Sequence, residues 1–399
     1  MKVILGSESF PPNISGVATA TVNLAENLVK SGHEVFVFTP GKTYGNKIDP
    51  AFSKYEVYRL KSVVNPFRRG YRITFAPDWA IEKLVRKVNP DIIHLQDPAM
   101  IGQALRRVGK KLGIPVIITN HFSLEYALSY VRALNFFRPI FRTELINYLV
   151  LFYNKCDAVV TPTETFRRQI EDWGVKVPVR AISNGIEIEK FLKHYSSKKI
   201  NQIQTKFHLP GNPLVLYLGR IDTDKSIDVL IRAIPEVLSK MDAHFVITGT
   251  GGELENLKEL VKKLRIEQVV TFIGFVDHNS DDFVGLFKSA ALFAIPSTIE
   301  TQSIVTLEAM SSGLPVVAAN AGALPELVHN SKNGFLFEPG DSKEAAEKIL
   351  KILKNPKMAR LMSKESVRIA MTHQMNRAFG EMLDLYKEVI EKNKVKKQS

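Results

Sequence analysis

Residues 297–317 read STIETQSIVTLEAMSSGLPVV and directly follow the apolar run ALFAIP. The pattern predicts a buried strand, a polar loop and a helix that begins near Ile304. It places Glu300 in the loop and Glu308 about one to two turns into the helix. The main-chain amides around residues 301–304 would then form a helix N-terminus, which attracts a phosphate group. By themselves, the two glutamates are more typical of a solvated loop and an exposed helix face.

Short continuous apolar runs, separated by segments of helical periodicity, extend from this stretch in both directions. They begin with KVILG at Lys2–Gly6 and restart with VLYLG at residues 215–219. Such runs predict buried parallel strands in two doubly wound sheets. A polar stretch at residues 193–204 predicts a domain boundary near residues 190–210. Because ligands of these folds bind at the carboxyl ends of strands, we expect a site between the two domains.

The composition agrees with this architecture. On a prior of roughly 100–200 residues per domain, a chain of 399 residues suggests two domains. The fractions of 45% hydrophobic and 24% charged residues exclude disordered and collagen-like classes. The single cysteine, Cys156, excludes an internal disulfide. No apolar stretch reaches the roughly 18–20 residues of a spanning helix, and the start turns polar too early for a signal peptide. We therefore expect a cytoplasmic protein, soluble or bound to a surface.

The charge is unevenly distributed along the chain. Residues 1–200 hold 29 Lys and Arg against 17 Asp and Glu, whereas residues 201–399 hold 25 against 24. The formal net charge of +13 thus lies almost wholly in the first half. This asymmetry indicates a polyanionic partner, either nucleic acid or an anionic membrane, or a lysine-rich surface that only keeps the protein soluble.

Three further segments follow predicted strands and carry polar side chains. In GRIDTDKS, Arg220 offers a forked donor and Lys225 a point charge, a pair suited to a diphosphate. In residues 8–16 (ESFPPNISG), Gly16 would let the backbone approach a ligand, or it simply marks a turn. His121 follows the run VIIT, where a functional role is slightly favoured over a structural one.

Taken together, these motifs resemble the family 4 retaining glycosyltransferases over nearly the whole chain. The resemblance rests on the spacing of Glu300 and Glu308, on Gly313-Leu314-Pro315-Val316-Val317, on Gly219-Arg220 with Lys225, and on Ser183-Asn184-Gly185-Ile186. Two short stretches, Glu300-Thr301-Gln302 and Lys225-Ser226, are similar to the branch that glucosylates diacylglycerol in bacterial membranes.

The resemblance implies the GT-B fold, an α/β architecture. In it two Rossmann-like domains face one another across a cleft, and the last helix, residues 375–391, crosses back to the first domain. We accordingly expect an acceptor-binding, membrane-facing domain at 1–190 and a nucleotide-sugar-binding domain at 200–374. A crossover helix and basic tail occupy 375–399.

The resemblance also implies the roles of individual residues. The catalytic residues would be His121, beside the transferred sugar, Glu300, on its hydroxyls, and Arg220 and Lys225, on the diphosphate. Glu308 would bind the ribose hydroxyls. The residues expected to bind the donor are Gly16, Arg220, Lys225, Gly249, Gly251, Phe275, Glu300, Thr301, Gln302, Ser303, Ile304 and Glu308.

The chain departs from the family pattern at two places. Gln302-Ser303 stands where the family usually has Phe-Gly, and the loss of that glycine argues against a close approach of the backbone to the donor at this position. At the second place, Ser226 replaces the usual Gly. Neither change removes a charge. The resemblance implies no metal and no cofactor besides the donor. Gly249-Thr250-Gly251-Gly252 is only half of a dinucleotide fingerprint, so it is weak support for NAD.

The acceptor has to be inferred from the basic first half. Arginines alternate with aromatic residues around residues 130–154, which favours a helix that lies on anionic lipid. The alternative is that the aromatics pack in the core and the arginines form a solvated face. The residues expected to bind membrane are Arg68, Arg69, Arg106, Arg107, Lys110, Lys111, Phe136, Phe137, Arg138, Phe141 and Arg142.

We therefore expect a hexose, with UDP-glucose favoured over GDP-mannose and UDP-galactose as donor, to pass to a lipid such as diacylglycerol at the cytoplasmic face of the membrane. A soluble family member with a small-molecule or polysaccharide acceptor is the main alternative. A nucleic-acid-binding protein is a distant one, since charge alone supports it. The oligomeric state is left open.

Overall fold

The computed structural model describes residues 1–13, 15–41, 47–48, 52, 54–65, 72–129 and 137–398. The chain divides into two compact units. Unit 1 comprises Met1–Asn184 and Ala378–Ser399, and unit 2 comprises Gly185–Arg377.

Unit 1 is built on a largely parallel sheet. Its strands within the described residues are β1 (Lys2–Gly6), β2 (Glu34–Gly41), β3 (Lys47–Ile48), β4 (Glu56–Val64), β5 (Arg72–Thr74), β6 (Ile92–Leu95), β7 (Val116–Thr119), β8 (Ala158–Thr161) and β9 (Val179–Ala181). They are ordered β3-β4-β2-β1-β6-β7-β8-β9, and β5 pairs antiparallel with β4. The helices in the described part of residues 1–184 are α1 (Gly16–Lys30), α2 (Asp78–Val88), α3 (Met100–Leu112), α4 (Leu124–Ser129), α5 (Arg138–Tyr153) and α6 (Glu164–Asp172).

Unit 2, of which every residue is described, contains a six-stranded parallel sheet. Its strands are β10 (Leu214–Leu218), β11 (His244–Thr248), β12 (Val270–Gly274), β13 (Leu292–Ile295), β14 (Val316–Ala319) and β15 (Gly334–Phe337), ordered β12-β11-β10-β13-β14-β15. Its helices are α7 (Ile188–Leu192), α8 (Ser197–Lys206), α9 (Ile227–Leu238), α10 (Leu254–Leu264), α11 (Asp281–Ser289), α12 (Ile304–Ser311), α13 (Leu324–Leu327), α14 (Ser342–Leu353) and α15 (Pro356–Met371), with 3-10 turns at Thr223–Lys225 and Glu267–Val269.

The last helix, α16 (Met375–Gln398), begins in unit 2 and continues into unit 1. There Met382, Leu385 and Val389 pack into the apolar cluster that covers one face of the unit 1 sheet. The hydroxyl of Tyr386 lies 2.6 Å from Nδ1 of His94 on β6, and both side chains are buried. Burial lowers the pKa of His94 to about 3, so this histidine is neutral and serves the packing.

Buried strands have near-continuous apolar sequences, as expected for parallel strands covered on both faces. Leu214–Leu218, for example, is buried at every position. No helix in the described part of the chain combines the length and apolarity that a membrane span needs.

Candidate active site

The loop after β10 holds the two predicted cations of unit 2. The hydroxyl of Tyr217 donates to the carbonyl oxygen of Arg220 at 2.6 Å and fixes the start of the loop. The loop ends in the 3-10 turn, after which Ser226 has φ +48°. A left-handed residue at this point explains why glycine is the usual choice there, and the serine keeps the same backbone turn.

Lys225 makes a buried ion pair with Glu300. Its Nζ lies 2.8 Å from Oε1 of Glu300 and 3.2 Å from Oδ2 of Asp224, and the side chains of Lys225 and Glu300 are only 13% and 12% exposed. Burial by itself lowers the pKa of the Lys225 ammonium, but the two carboxylates outweigh burial and hold this pKa above its ordinary value. The ammonium therefore stays charged. Its ion pair with Glu300 joins the loop that follows β10 to the loop that follows β13.

Asp222 and Asp224 form ion pairs with Arg220, and sequence reasoning gave them no role. The guanidinium donates through Nη1 to Asp222, and its Nη2 lies 3.2 Å from Oδ2 of Asp224. Asp224 thus links both cations. A guanidinium has five N–H donors, so Arg220 can hold both carboxylates at once. The only sequence signal was the i,i+4 spacing of Arg220 and Asp224.

The loop that carries Glu300 is held mainly by its backbone. The amide of Thr298 donates to the carbonyl of Asp224 at 3.1 Å, and the amide of Ala323 donates to the carbonyl of Glu300 at 3.0 Å. A Cβ at Gly322, where φ is +53°, would lie 2.6 Å from the carbonyl oxygen of Glu300. Glycine is thus required here to let a second loop pack against the loop of Glu300.

The predicted helix N-terminus is present as α12. Ser303 precedes it with φ +68°, the backbone conformation that the usual glycine would adopt, and its hydroxyl lies 2.7 Å from that of Thr306. The serine therefore preserves the backbone turn, and a close approach of this backbone to a ligand stays a prediction. Gln302 and Ser303 are buried, so their side chains are not presented to a ligand.

Glu308 on α12 is buried, with a side chain 6% exposed, rather than lying on a solvated helix face. Its Oε1 lies 2.6 Å from Nε2 of His278, and Nζ of Lys190 donates to the carbonyl of His278. Sequence reasoning missed both His278 and Lys190, because they are distant from Glu308 in sequence. Phe275, in the same loop as His278, is exposed.

Gly249 and Gly251 lie where two loops cross. A Cβ on Gly249 would come within 1.8 Å of the carbonyl oxygen of Gly219, and one on Gly251 within 2.1 Å of that of Ile221. The need for glycine at these positions comes from neighbouring backbone. Contact with a donor at these two positions stays a prediction.

In unit 1, Gly16 is the first residue of α1, and Ser15 caps that helix by accepting from the amide of Ala18. His121 follows β7, and its Nε2 lies 3.0 Å from Oε1 of Gln96, which follows β6. Burial lowers the pKa of His121 to about 4, so the ring is neutral near pH 7 and donates through Nε2 to the amide oxygen.

A pair of carboxyl groups near the same sheet edge was not predicted. Glu8 follows β1 and accepts from the hydroxyl of Thr74 at 2.6 Å and the amide of Ile101 at 2.9 Å. Asp97 follows β6, and its Oδ2 accepts from the amide of Glu8 at 2.7 Å. Burial, reinforced by Asp97, raises the pKa of Glu8 to about 7, and burial raises that of Asp97 to about 6. The two groups connect β1, β5 and β6 to the start of α3.

The start of α5 carries exposed apolar and basic side chains. Phe137, Ile140 and Phe141 are exposed there, and Arg138 and Arg142 are exposed beside them. The aromatics at this end are thus not core residues, whereas Leu149, Phe152 and Tyr153 at the other end are buried.

For Arg106 the prediction of a membrane contact is wrong. The residue is 7% exposed, its guanidinium lies 5.1 Å from the ring centre of Phe152, and Nη2 donates to Gln103 at 3.0 Å. Arg107 and Lys111 are exposed but form ion pairs with Asp78 and Glu82, and Lys110 is exposed. Arg68, Arg69 and Phe136 lie outside the described residues.

Comparison with known proteins shows two glycosyltransferase family models that match the two halves of the chain. Residues 14–190 match the family model described as Glycosyltransferase Family 4, and residues 198–368 match the model described as Glycosyl transferases group 1. An alpha-monoglucosyldiacylglycerol synthase of Streptococcus pneumoniae is 30% identical over 84% of this chain and 75% of its own length. An enzyme of the same name from Acholeplasma laidlawii is 28% identical over 99% of both chains.

Solved structures that are similar to this chain include HepE of Anabaena in complex with UDP. It is 19% identical, with a TM-score of 0.76 over 97% of this chain and 100% of its own. At this identity the likeness concerns the fold alone, and it confirms the predicted GT-B class with its two Rossmann-like domains.

Proposed function

Since this chain belongs to the family 4 glycosyltransferases, we propose that it transfers a hexose, with retention of configuration, from a nucleoside diphosphate sugar to a lipid such as diacylglycerol. The observation that carries the proposal is the buried Lys225–Glu300 pair beside Arg220, at the carboxyl ends of β10 and β13. Such strand ends are where open α/β sheets bind ligands.

Different groups of unit 2 bind different parts of the donor. Arg220, Lys225 and the first amides of α12 bind the diphosphate, because each places positive charge where the leaving group becomes more negative. Glu300, held by Lys225, accepts hydrogen bonds from the sugar hydroxyls. Glu308 accepts from the ribose hydroxyls. In unit 1, the neutral ring of His121 and the backbone at Gly16 contact the sugar and the diphosphate.

In the reaction, the acceptor hydroxyl oxygen forms a bond to the anomeric carbon while the bond from that carbon to the diphosphate oxygen breaks. The acceptor attacks from the same face of the sugar from which the leaving group departs, which retains the configuration at the anomeric carbon. The proton of the acceptor passes to an oxygen of the departing diphosphate. The products are a nucleoside diphosphate and the glycoside, and the protein supplies the cations without a metal ion.

For the donor we favour UDP-glucose, with GDP-mannose and UDP-galactose as the other candidates. The name of the pneumococcal relative refers to a glucosyl lipid, and HepE has been solved with UDP and with UDP-glucose. A screen of radiolabelled UDP- and GDP-sugars with diacylglycerol in mixed micelles tests this directly. We expect transfer of glucose from UDP-glucose, with an unchanged rate in EDTA.

Two substitutions test the site itself. Arg220→Ala and Glu300→Ala should each lower kcat/KM by at least about 10²-fold, since each removes a charged contact to the transition state. The far-UV circular dichroism should remain that of a folded protein. Arg232→Ala, an exposed arginine on α9 paired only with Asp228 in the described chain, is the matched control and should retain activity. Full activity of either site variant would refute the proposal.

The exposed start of α5 supports an acceptor in a membrane. Exposed aromatic residues beside arginines bind anionic interfaces through both apolar burial and charge. We therefore propose that the protein works as a peripheral enzyme at the cytoplasmic face of the membrane and contacts lipid there through Phe137, Arg138, Phe141 and Arg142.

Vesicle sedimentation tests this contact. Binding should rise with the fraction of anionic lipid and fall with salt, and F137S/F141S should weaken it. Leu361→Ser, which changes an exposed apolar residue of α15 in unit 2, is the control and should bind like the parent protein. Binding that ignores both lipid charge and salt would favour the alternative of a soluble acceptor.

A further inference from the structure

His278 has no role in the transfer described above, yet it makes a short hydrogen bond to a residue that has one. Its Nε2 lies 2.6 Å from Oε1 of Glu308. Because a carboxylate only accepts, the ring donates through Nε2. In the part of the chain that the structure describes, no second side chain hydrogen-bonds to this carboxylate. Its Oε2 therefore has no protein partner there.

Two neighbours fix the position of the His278 ring although its side chain is 54% exposed. Nζ of Lys190, on α7, donates to the main-chain carbonyl of His278 and lies 3.4 Å from Nδ1 of the ring. A neutral ring protonated at Nε2 has an acceptor at Nδ1, which suits the ammonium. The ring also packs on Phe283, with a centroid distance of 4.6 Å.

We propose that His278 is a positioning residue for the ribose of the donor. This inference rests on the proposed function, in which Glu308 binds the ribose hydroxyls. The ring holds Oε1 of Glu308 and thereby restricts the rotation of the carboxylate, which leaves Oε2 to accept from the ribose. A group oriented before the ligand arrives loses less freedom on binding. Lys190 contributes indirectly, because it donates a hydrogen bond to the main chain of the loop that carries the ring.

The test is calorimetric binding of UDP and GDP to the full chain, followed by the 2′,3′-dideoxy form of whichever nucleotide binds more tightly. His278→Ala should raise the Kd of the natural nucleotide roughly tenfold, the loss of one hydrogen bond to a charged group. It should leave the Kd of the dideoxy nucleotide unchanged, because that ligand has no hydroxyls for Glu308 to bind. His278→Gln, which retains a donor, should restore most of the affinity.

Two further variants keep the result interpretable. His278→Phe preserves the packing on Phe283 but has no donor, so it should behave like the alanine variant. His194→Ala removes an exposed histidine elsewhere in unit 2 and should bind like the parent protein. In transfer assays, the donor KM of His278→Ala should rise with little change in kcat.

Equal weakening of the natural and dideoxy nucleotides, or no weakening of either, would overturn the role of His278. If Glu308→Ala leaves the affinity for the natural nucleotide unchanged, the assignment of Glu308 fails and this inference fails with it. Failure of the proposed function is recognised separately, as the lack of sugar transfer from any donor by a protein that still binds the nucleotide.

Discussion

Replacing Lys225 with methionine tests the energetics of the buried ion pair. The ammonium lies 2.8 Å from Glu300 and 3.2 Å from Asp224, and none of the three side chains is more than 13% exposed. Removing one partner of a buried pair costs about 3–5 kcal/mol, because the remaining charge loses its compensation. Asp224 keeps Arg220 at 3.2 Å. We therefore expect the lower end of the range, about 3 kcal/mol.

The assay is urea unfolding followed by far-UV circular dichroism. With a slope of about 2 kcal/mol per molar urea, the midpoint should fall by about 1.5 M. K225M/E300Q should recover part of the loss, because the isolated carboxylate is gone, and the coupling between the two sites should exceed about 1 kcal/mol.

Lysine 288 provides the matched control. Lys288 is half-buried on α11 and donates to the carbonyl of Ser312 at 3.1 Å, and no carboxylate within the described residues pairs with it. Lys288→Met removes one hydrogen bond but breaks no ion pair, so it should lower the free energy of unfolding by only about 0.5–1.5 kcal/mol. If K225M costs no more than Lys288→Met, or if K225M and E300Q are additive, the reasoning about the pair is wrong.

The same pair predicts a dependence on pH. The folded-state pKa of Lys225 is raised above its ordinary value, so its contribution is complete at neutral pH and is lost as the pH rises through the raised pKa. The difference between K225M and the parent protein should therefore be constant from pH 6 to 9 and shrink above about pH 10.5.

Three further substitutions test other features of the two units. Gly322→Ala should lower transfer activity at least about tenfold in a folded protein, because its Cβ would displace the backbone of Glu300; normal activity would show that the contact relaxes. Ser226→Gly should raise the free energy of unfolding by about 0.5–1 kcal/mol, since φ is +48° there, and a loss of stability would contradict this. Burial raises the folded-state pKa of Glu8 to about 7, so its ionised form destabilises the folded protein. The parent protein therefore loses stability as the pH rises toward 7, and Glu8→Gln should not. The variant should be more stable than the parent by roughly 1–3 kcal/mol at pH 8 and nearly equal at pH 5; a difference that does not change with pH would refute the assignment.

The sequence by itself determined the sheets and the edge at which the site forms. Continuous apolar runs such as Leu214–Leu218 are specific to strands covered on both faces, so β10 and its neighbours were predictable. The strand β4 (Glu56–Val64) escaped this reasoning because charged residues interrupt its apolar pattern. Arg220, Lys225 and Glu300 lie in the loops that follow β10 and β13. The carboxyl ends of parallel strands meet at one edge of a sheet, which brings these loops together.

Only the tertiary structure decided which partners these residues have. The hydrogen bond from His278 to Glu308 joins two loops that no local pattern connects. Arg106 lies on a helix that reads as basic, but Phe152 of α5 covers it. Periodicity reports how a side chain is placed on its own element, because it repeats with the local backbone. What covers that side chain depends on a segment distant in sequence, and therefore on the packing of the whole unit.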